Sequence, residues 1–205
     1  MLREIVLDTE ATGDNLQNGD RLTEVAAIEL VDGLPTGKVF HAYINPERSV
    51  PKELTDSQGK VIPHPAYFTD EFMADKPVFT AIAKGLKAFI GDSPIVITCR
   101  TINGLTLDID FLDMEIKKAG FAPIKAEQWI NVRRWSEAMF GDDKASLNKI
   151  LDHYKIDRSV RDKEGHSATL DARLLAAAYP KLLADYNKFK KALQPTPHSK
   201  KPLAP

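Results

Sequence analysis

The chain has 205 residues, 43% of them hydrophobic and 28% charged, and a formal net charge of -1. This length suits a single domain with a substantial core, and the balanced charge argues against a protein that coats nucleic acid through a broad basic face. The single cysteine, Cys99, excludes an internal disulfide and a thiolate metal site. Because no apolar run is long enough to span a bilayer and the first residues lack the layout of a secretory signal, we expect a cytoplasmic protein that does not bind membranes.

The first half of the chain predicts an antiparallel meander of three strands. Apolar or alternating residues mark these strands at 3–8, 21–30 and 39–44. The pair Asp32-Gly33, between the second and third strands, is a hairpin turn signal. Residues 46–76 contain prolines and no clear periodicity, so we expect a long irregular loop there.

The second half of the chain alternates between strand and helix patterns. Strands are predicted at 94–98 and 128–132, and helices from Pro77 to Phe89 and at 106–119, 133–140, 146–153 and 167–185. Together with the meander, this order predicts an α/β fold in which a mixed five-stranded sheet is flanked by helices. We expect residues 1–185 to form this domain and residues 186–205 to be a basic, proline-rich and disordered tail.

Two acids follow the first apolar run. Asp8 and Glu10 are separated by one residue, and side chains two positions apart on a strand project from the same face. Neighbouring carboxylates repel each other unless a positive group lies between them, and a divalent metal ion is the usual solution. On these two residues alone, ordinary surface acids at the end of a strand explain the pattern equally well.

Two further acids are predicted on the inward faces of helices. Asp108 precedes the apolar pair Phe111-Leu112 by three and four residues, and Asp171 precedes Leu174-Leu175 at the same spacing. A buried unpaired carboxylate is costly in free energy. A shared metal site therefore explains both acids more simply than two separate penalties.

Other polar residues near these acids have ordinary explanations. Asp110 and Asp113 fall on the other side of the first of these helices, so we expect them to face solvent. His166 lies five residues before Asp171, and a histidine at a helix start is most often structural. Beside a metal site it is also a candidate general base, because the ordinary pKa of histidine lies near the working pH.

Three motifs together resemble the DEDDh exonuclease superfamily. In chain order they are Asp8-Thr-Glu10-Ala-Thr12-Gly13, Leu107-Asp108-Ile-Asp-Phe111-Leu-Asp113 and His166-Ser-Ala-Thr-Leu-Asp171. Further segments, such as Gly19-Asp-Arg-Leu-Thr-Glu24 and Tyr43-Ile-Asn-Pro-Glu-Arg48, resemble the epsilon (proofreading) subunits of bacterial DNA polymerase III. The likeness extends over about residues 2–185.

The resemblance implies a ribonuclease H-like fold and 3′→5′ removal of nucleoside 5′-monophosphates from single-stranded or frayed DNA 3′ ends. It implies two divalent metal ions, Mg²⁺ or Mn²⁺, and makes His166 the base that takes a proton from the attacking water. The implied metal ligands are Asp8, Glu10, Asp108 and Asp171. Thr12 and Gly13 are the implied contacts of the terminal nucleotide, and His64 is a third substrate-binding candidate. A polymerase catalytic subunit is the implied protein partner.

Two loops depart from the family pattern. Residues 98–107 replace the usual His-Asn-Ala-x-Phe-Asp and are several residues longer, and Gln58-Gly-Lys-Val-Ile-Pro-His64-Pro replaces a Val-His-Gly-Ile stretch. Both loops are expected to touch the substrate, which predicts an altered substrate preference or a weak activity. Residues 193–205 contain no convincing sliding-clamp motif.

Several functions remain open at this point. Besides a proofreading-type epsilon subunit, the sequence is compatible with a free-standing exonuclease that acts on DNA, RNA or short oligonucleotides. A third hypothesis is a module that binds nucleic acid or a polymerase and has lost useful catalysis. Replacing Asp171 separates enzyme from module, because a binding module keeps its function without this acid.

Overall fold

The computed structural model describes residues 1–55, 61–63, 67–102 and 104–194. In this part of the chain the strands are β1 (Arg3–Ala11), β2 (Leu22–Val31), β3 (Leu34–Tyr43), β4 (Glu53–Thr55), β5 (Val61–Pro63), β6 (Ile95–Ile97), β7 (Thr101–Ile102), β8 (Leu105–Thr106) and β9 (Trp129–Asn131). The α-helices are α1 (Asp70–Ala74), α2 (Phe79–Ile90), α3 (Leu107–Lys118), α4 (Val132–Phe140), α5 (Leu147–His153), α6 (Ser159–Glu164) and α7 (Ala168–Leu193). Among these helices, none combines the length and the apolar character needed to cross a membrane.

A mixed sheet of five strands forms the centre of the fold, in the order β3-β2-β1-β6-β9. The first three strands are antiparallel neighbours, and β6 is parallel to both β1 and β9. Asp32 and Gly33 connect β2 to β3 with positive φ values of 51° and 78°, as a tight hairpin turn requires. The prediction of a mixed five-stranded sheet that opens with a meander is confirmed.

Helices cover both faces of this sheet. Each strand contributes side chains to both faces, because successive residues along a strand point to opposite sides. Ile5 and Leu7 of β1 pack in a core with α2 and α3, whereas Val6 points to the opposite core with α4, α5 and α7. β2 is buried along nearly its whole length, since it lies inside the sheet and beneath helices on both sides. The acids that follow Leu7 therefore lie between two helical layers.

The structure differs from the prediction in several places. Within residues 46–76, which were expected to be irregular, β4 pairs with β5 and α1 forms a short helix. Residues 98–107 contain a small hairpin, β7–β8, and Gly104 lies in its turn with a φ of 82°. The last helix ends at Leu193 rather than at residue 185, and Tyr186 in this extension stacks on Trp135 with ring centroids 4.3 Å apart. The division of the chain into a domain and a disordered tail stays a prediction, as residues 195–205 lie outside the described part.

Glu24, a fully buried residue of β2, fixes the start of α7. Its carboxyl oxygens accept hydrogen bonds from the backbone N–H of Ala168 (3.0 Å) and from the N–H and hydroxyl of Thr169 (3.3 and 3.1 Å). These N–H groups belong to the first turn of the helix, where no intrahelical acceptor exists. Glu24 thus joins the middle of the sheet to the helix that carries Asp171.

Arg21 plays a comparable part for α3. Its guanidinium forms a bidentate ion pair with Glu115, whose side chain is almost completely buried. A paired guanidinium is the usual way to accommodate a buried carboxylate. The pair joins the residue just before β2 to the helix that carries Asp108.

Candidate active site

The two acids of β1 lie on one face of the strand, near its end. Asp8 and Glu10 are both half-buried and line a cleft of about 600 Å³. The strand continues to Ala11, three residues beyond its predicted end, and pairs with β2 along its whole length. The backbone of both acids is therefore held in the sheet, which fixes the direction of their side chains.

Asp108 enters the same cleft from the first turn of α3. Its Oδ1 accepts a hydrogen bond of 2.6 Å from the Thr9 hydroxyl, and its backbone N–H donates to the sulfur of Cys99 at 3.2 Å. The Cys99 thiol is buried, and burial raises its pKa. Cys99 is therefore a packing residue, two positions after the end of β6.

The expectation that Asp110 and Asp113 face solvent is wrong, because both are half-buried and bind backbone groups. Asp110 accepts a hydrogen bond of 2.5 Å from the N–H of Thr106, the residue before α3. Asp113 accepts one of 3.2 Å from the N–H of Ile124, in the loop that follows the helix. Both carboxylates thus hold loops next to α3.

Asp171, on the first turn of α7, is buried in an ion pair that the sequence did not predict. Arg161 of α6 donates from Nε to Oδ1 (2.5 Å) and from Nη2 to Oδ2 (2.8 Å) of this carboxylate. Both side chains are only 6–7% exposed. Arg161 also donates to the side-chain oxygen of Asn148 at 2.6 Å, so its guanidinium is anchored from two sides.

His166 lies next to this pair, with its side chain 48% exposed to the cleft. Its Nδ1 is 2.8 Å from Nη2 of Arg161 and 3.6 Å from Oδ2 of Asp171. Since a guanidinium has only donors, Nδ1 is the acceptor in the first contact. Partial burial and the neighbouring charge of Arg161 lower the pKa of the imidazole, which keeps the ring neutral.

The cleft collects the predicted site residues that lie in the described part of the chain. Those that line it are Asp8, Glu10, Thr12, Gly13, Asp108, His166 and Asp171. These residues come from β1, the loop after β1, α3, α7 and the turn before α7, and they meet at the carboxyl ends of the parallel strands β1 and β6. His64 lies outside the described residues, so its substrate-binding role stays a prediction.

Residues 5–179 match the family model described as Exonuclease (RNase T). The chain belongs to this exonuclease family. It is also 38% identical over 181 residues to the DNA polymerase III subunit epsilon of Rickettsia typhi, covering 87% of this chain and 72% of that one. The epsilon subunit of Escherichia coli K12 is 33% identical over 184 residues, covering 86% and 70%.

Solved structures support the fold of this exonuclease. Escherichia coli exonuclease I in complex with a dT13 oligonucleotide superposes with a TM-score of 0.66 at 15% identity, covering 94% of this chain. The chain spans 43% of the length of that protein, and the likeness at this identity concerns the fold alone. The architecture common to both is the ribonuclease H-like sheet that was predicted.

Burial raises the pKa values of three acids of the exonuclease, and neighbouring acids raise two of them further. Burial raises the pKa of Asp8 well above its ordinary value of 3.8, and the charges of Asp171, Asp108 and Glu10 raise it further. The pKa of Glu10 is raised by burial and then by Asp171 and Glu24, and that of Asp108 is raised by burial. The charge of Arg161 lowers the pKa values of Asp8 and Glu10, but it offsets only a part of the effect of burial and of the neighbouring acids.

The residues present fit a divalent metal site. Ligand atoms of Glu10, His166 and Asp171 all lie within 4.8 Å of one another, and Asp8 and Asp108 line the same cleft. Carboxylate oxygens are the ligands that Mg²⁺ and Mn²⁺ prefer. The raised pKa values of the acids are the second observation in favour of this fit, because a cation in the cleft would offset their mutual repulsion.

Gly13 is required by a close approach of two segments of the loop after β1. A Cβ atom at this position would lie 2.2 Å from Oδ2 of Asp20. Asp20 cannot move away freely, because it accepts hydrogen bonds from the Thr12 hydroxyl (3.0 Å) and the Asn15 N–H (3.1 Å) and lies 2.9 Å from Nη1 of Arg48. The packing of this loop thus explains the glycine without reference to a substrate.

We expect Gly13→Ala to destabilise the protein by about 1–3 kcal/mol, the usual cost of overpacking a tight contact. Urea-induced unfolding measures this loss. Gly85→Ala is a matched control, because its Cβ would lie 3.4 Å from Phe40 and alanine is favoured in a helix. Equal stability of Gly13→Ala and the parent would show that Asp20 can leave its position without cost.

Arg161 and Glu24 are the site residues that sequence reasoning missed. Arg161 occurs in a charged segment, Arg158-Ser-Val-Arg161-Asp-Lys163, that looks like an ordinary solvated helix. Glu24 lay inside a motif that carried the family resemblance, and an acid in an otherwise apolar strand was a signal for a buried partner. The sequence held no comparable signal for Arg161.

Proposed function

We propose that the chain is a divalent-metal-dependent 3′→5′ exonuclease that releases nucleoside 5′-monophosphates from DNA 3′ ends, in a proofreading role of the epsilon type. The observation that carries this proposal is the meeting of four acids and a histidine in one cleft of a chain that belongs to an exonuclease family. The likeness to epsilon subunits supports DNA as the substrate.

We further propose that Asp8, Glu10, Asp108 and Asp171 hold two ions, Mg²⁺ or Mn²⁺. When bound, these ions would lower the pKa of the attacking water and offset charge on the leaving 3′ oxygen. The side chains would enter the site from β1, α3 and α7, so that acids from both helical layers meet at the scissile phosphate. Because these acids are attached to strands and helices that are held in the fold, their side chains would need little reorganisation during the reaction.

His166 would take the proton of the attacking water, because the neutral imidazole is a competent base and faces the cleft. In the arrangement described above, Arg161 uses the Nδ1 lone pair, which leaves the ring proton on Nε2. Arg161 therefore has to release Nδ1 if His166 is to accept a proton while Nε2 keeps its own. Thr12 and Gly13 would bind the terminal nucleotide through the loop after β1.

The proposed partners are a single-stranded or frayed DNA 3′ end and a polymerase catalytic subunit. Relatives of the chain are named as subunits of DNA polymerase III, and an exonuclease I structure of the same fold contains a dT13 oligonucleotide. A replicative role would place the protein in the cytoplasm.

A 5′-labelled single-stranded DNA, incubated with the purified protein and Mg²⁺ or Mn²⁺, tests the proposal. We expect a ladder that shortens from the 3′ end and is absent in EDTA and with the Asp8→Asn variant. A paired and a mismatched primer terminus distinguish a proofreading role, and an RNA of the same sequence tests the alternative substrate. DNA that is bound but never shortened in either metal would favour the binding module.

A further inference from the structure

The short helix α6 is attached to the candidate active site by a charged residue. Among the side chains of α6 that the structure describes, Arg161 alone is buried, and the apolar side chain of Val160 beside it is 48% exposed. An arginine is almost never fully buried unless it has a partner. The polar contacts of Arg161 thus attach this helix to the start of α7.

These contacts are made to candidate metal ligands. The guanidinium of Arg161 donates to both carboxylate oxygens of Asp171, at 2.5 and 2.8 Å, and to Nδ1 of His166 at 2.8 Å. Asp171 and His166 are two of the three residues whose ligand atoms lie within 4.8 Å of one another, and Glu10 is the third. A positive charge of the protein itself therefore contacts two of the three candidate ligands.

The charge of Arg161 also acts on the acids of β1. It lowers the pKa values of Asp8 and Glu10, whereas burial and the neighbouring acids raise them. The side chain of Arg161 is only 7% exposed and is absent from the described residues that line the cleft, so this charge acts from the buried side of Asp171. A divalent ion in the cleft would interact with this guanidinium as well as with the carboxylates.

We propose that Arg161 is the counter-ion of the metal-free site and that it lowers the affinity of this site for divalent ions. The inference rests on the proposed metal-dependent function, and it assigns to Arg161 a role that acts through Asp171 and His166. A bidentate guanidinium offsets part of the cost of burying a carboxylate. The same charge repels a cation nearby, and this repulsion is stronger in the protein interior than in water.

The proposal predicts opposite effects on metal affinity and on stability. We expect Arg161→Gln to bind Mn²⁺ at least about tenfold more tightly than the parent, as measured without DNA from the electron paramagnetic resonance signal of free Mn²⁺. In EDTA the variant should unfold at a lower temperature than the parent, and saturating Mn²⁺ should raise its midpoint by a larger amount. A residue with a merely structural role would lower affinity and stability together.

Three further variants make this test specific. Arg161→Lys keeps the positive charge and should bind Mn²⁺ with nearly the affinity of the parent. Asn148→Ala removes one hydrogen-bond partner of Arg161 and is the milder variant, with an expected gain in Mn²⁺ affinity of about two- to threefold. Arg133→Gln is the matched control, because Arg133 forms an ion pair of 2.8 Å with Glu137 on α4, and neither residue is among those that line the catalytic cleft.

The outcomes separate this proposal from the proposed function. Unchanged or weaker Mn²⁺ binding by Arg161→Gln would overturn the role of Arg161, and so would an equal gain in Arg133→Gln. If Arg161→Gln does not fold in EDTA, the absence of a gain in Asn148→Ala would overturn it instead. Because the titration contains no DNA, a parent protein that binds Mn²⁺ but shortens no DNA would contradict the exonuclease activity alone.

Discussion

Replacing Asp8 by asparagine is expected to abolish hydrolysis and to stabilise the metal-free protein. Loss of a proposed metal ligand should lower the rate by at least about a thousandfold. The stabilisation, about 1–2 kcal/mol, follows from burial and from three neighbouring acids, which together raise the pKa of Asp8. An amide of the same shape removes this repulsion.

Unfolding in EDTA at several pH values measures the second effect. A carboxyl whose pKa is raised in the folded state carries no penalty below its ordinary value of 3.8, and the penalty grows as the pH rises above that value. The gain from Asp8→Asn should therefore be small near pH 4 and larger near neutrality. Added Mg²⁺ or Mn²⁺ should stabilise the parent more than the variant.

Asp92→Asn is a suitable control for this experiment, since Asp92 is an exposed acid whose side chain is 91% accessible and pairs with Lys125. Its replacement should change stability by less than about 0.5 kcal/mol. A lower midpoint of unfolding for Asp8→Asn in EDTA would show that Asp8 has a favourable partner in the folded state.

The same change at Asp171 is expected to have the opposite effect on stability. Asp171→Asn should also abolish hydrolysis, but it leaves the guanidinium of Arg161 buried without its counter-charge. Breaking a buried ion pair from one side costs about 3 kcal/mol or more. Thermal or urea unfolding in EDTA should therefore show that Asp8→Asn is more stable than the parent and that Asp171→Asn is less stable.

A double-mutant cycle with Arg161→Gln isolates this interaction. The double variant should be more stable than the sum of the two single losses predicts, by at least about 1 kcal/mol. Strict additivity of the two losses would mean that Arg161 and Asp171 do not interact in solution. The parent with added metal is a further comparison, because an ion bound to Asp171 competes with Arg161 for its oxygens.

The strands and the acids were predictable because both leave local patterns in the sequence. β1, β2 and the long helices follow from apolar periodicity, and Asp8, Asp108 and Asp171 stand out as charges at positions that should be apolar. Glu24 stands out in the same way, but its hydrogen-bond partner in α7 lies more than 140 residues away, and no local pattern identifies which residue that partner is. The expectation that Asp110 faces solvent was wrong for a related reason, since helix periodicity does not show which backbone N–H of a loop lies near the side chain.

Arg161 and the β7–β8 hairpin were not predictable for different reasons. Arg161 lies on a helix of six residues, too short to show a buried face by periodicity. The hairpin has strands of two residues each, below the length at which alternation can be recognised. Both features depend on tertiary contacts that form around the cleft.

The capping of α7 by Glu24 has a consequence for protein synthesis. The acids come from β1, α3 and α7, so Asp8 leaves the ribosome long before Asp171. A nascent chain that ends before Ala168 contains the residues of the sheet. In this chain His166 lacks its neighbour Asp171, and Glu24 lacks the helix start that it binds. The nuclease centre is therefore assembled only after translation of α7, and chains that terminate early lack the acid that completes it.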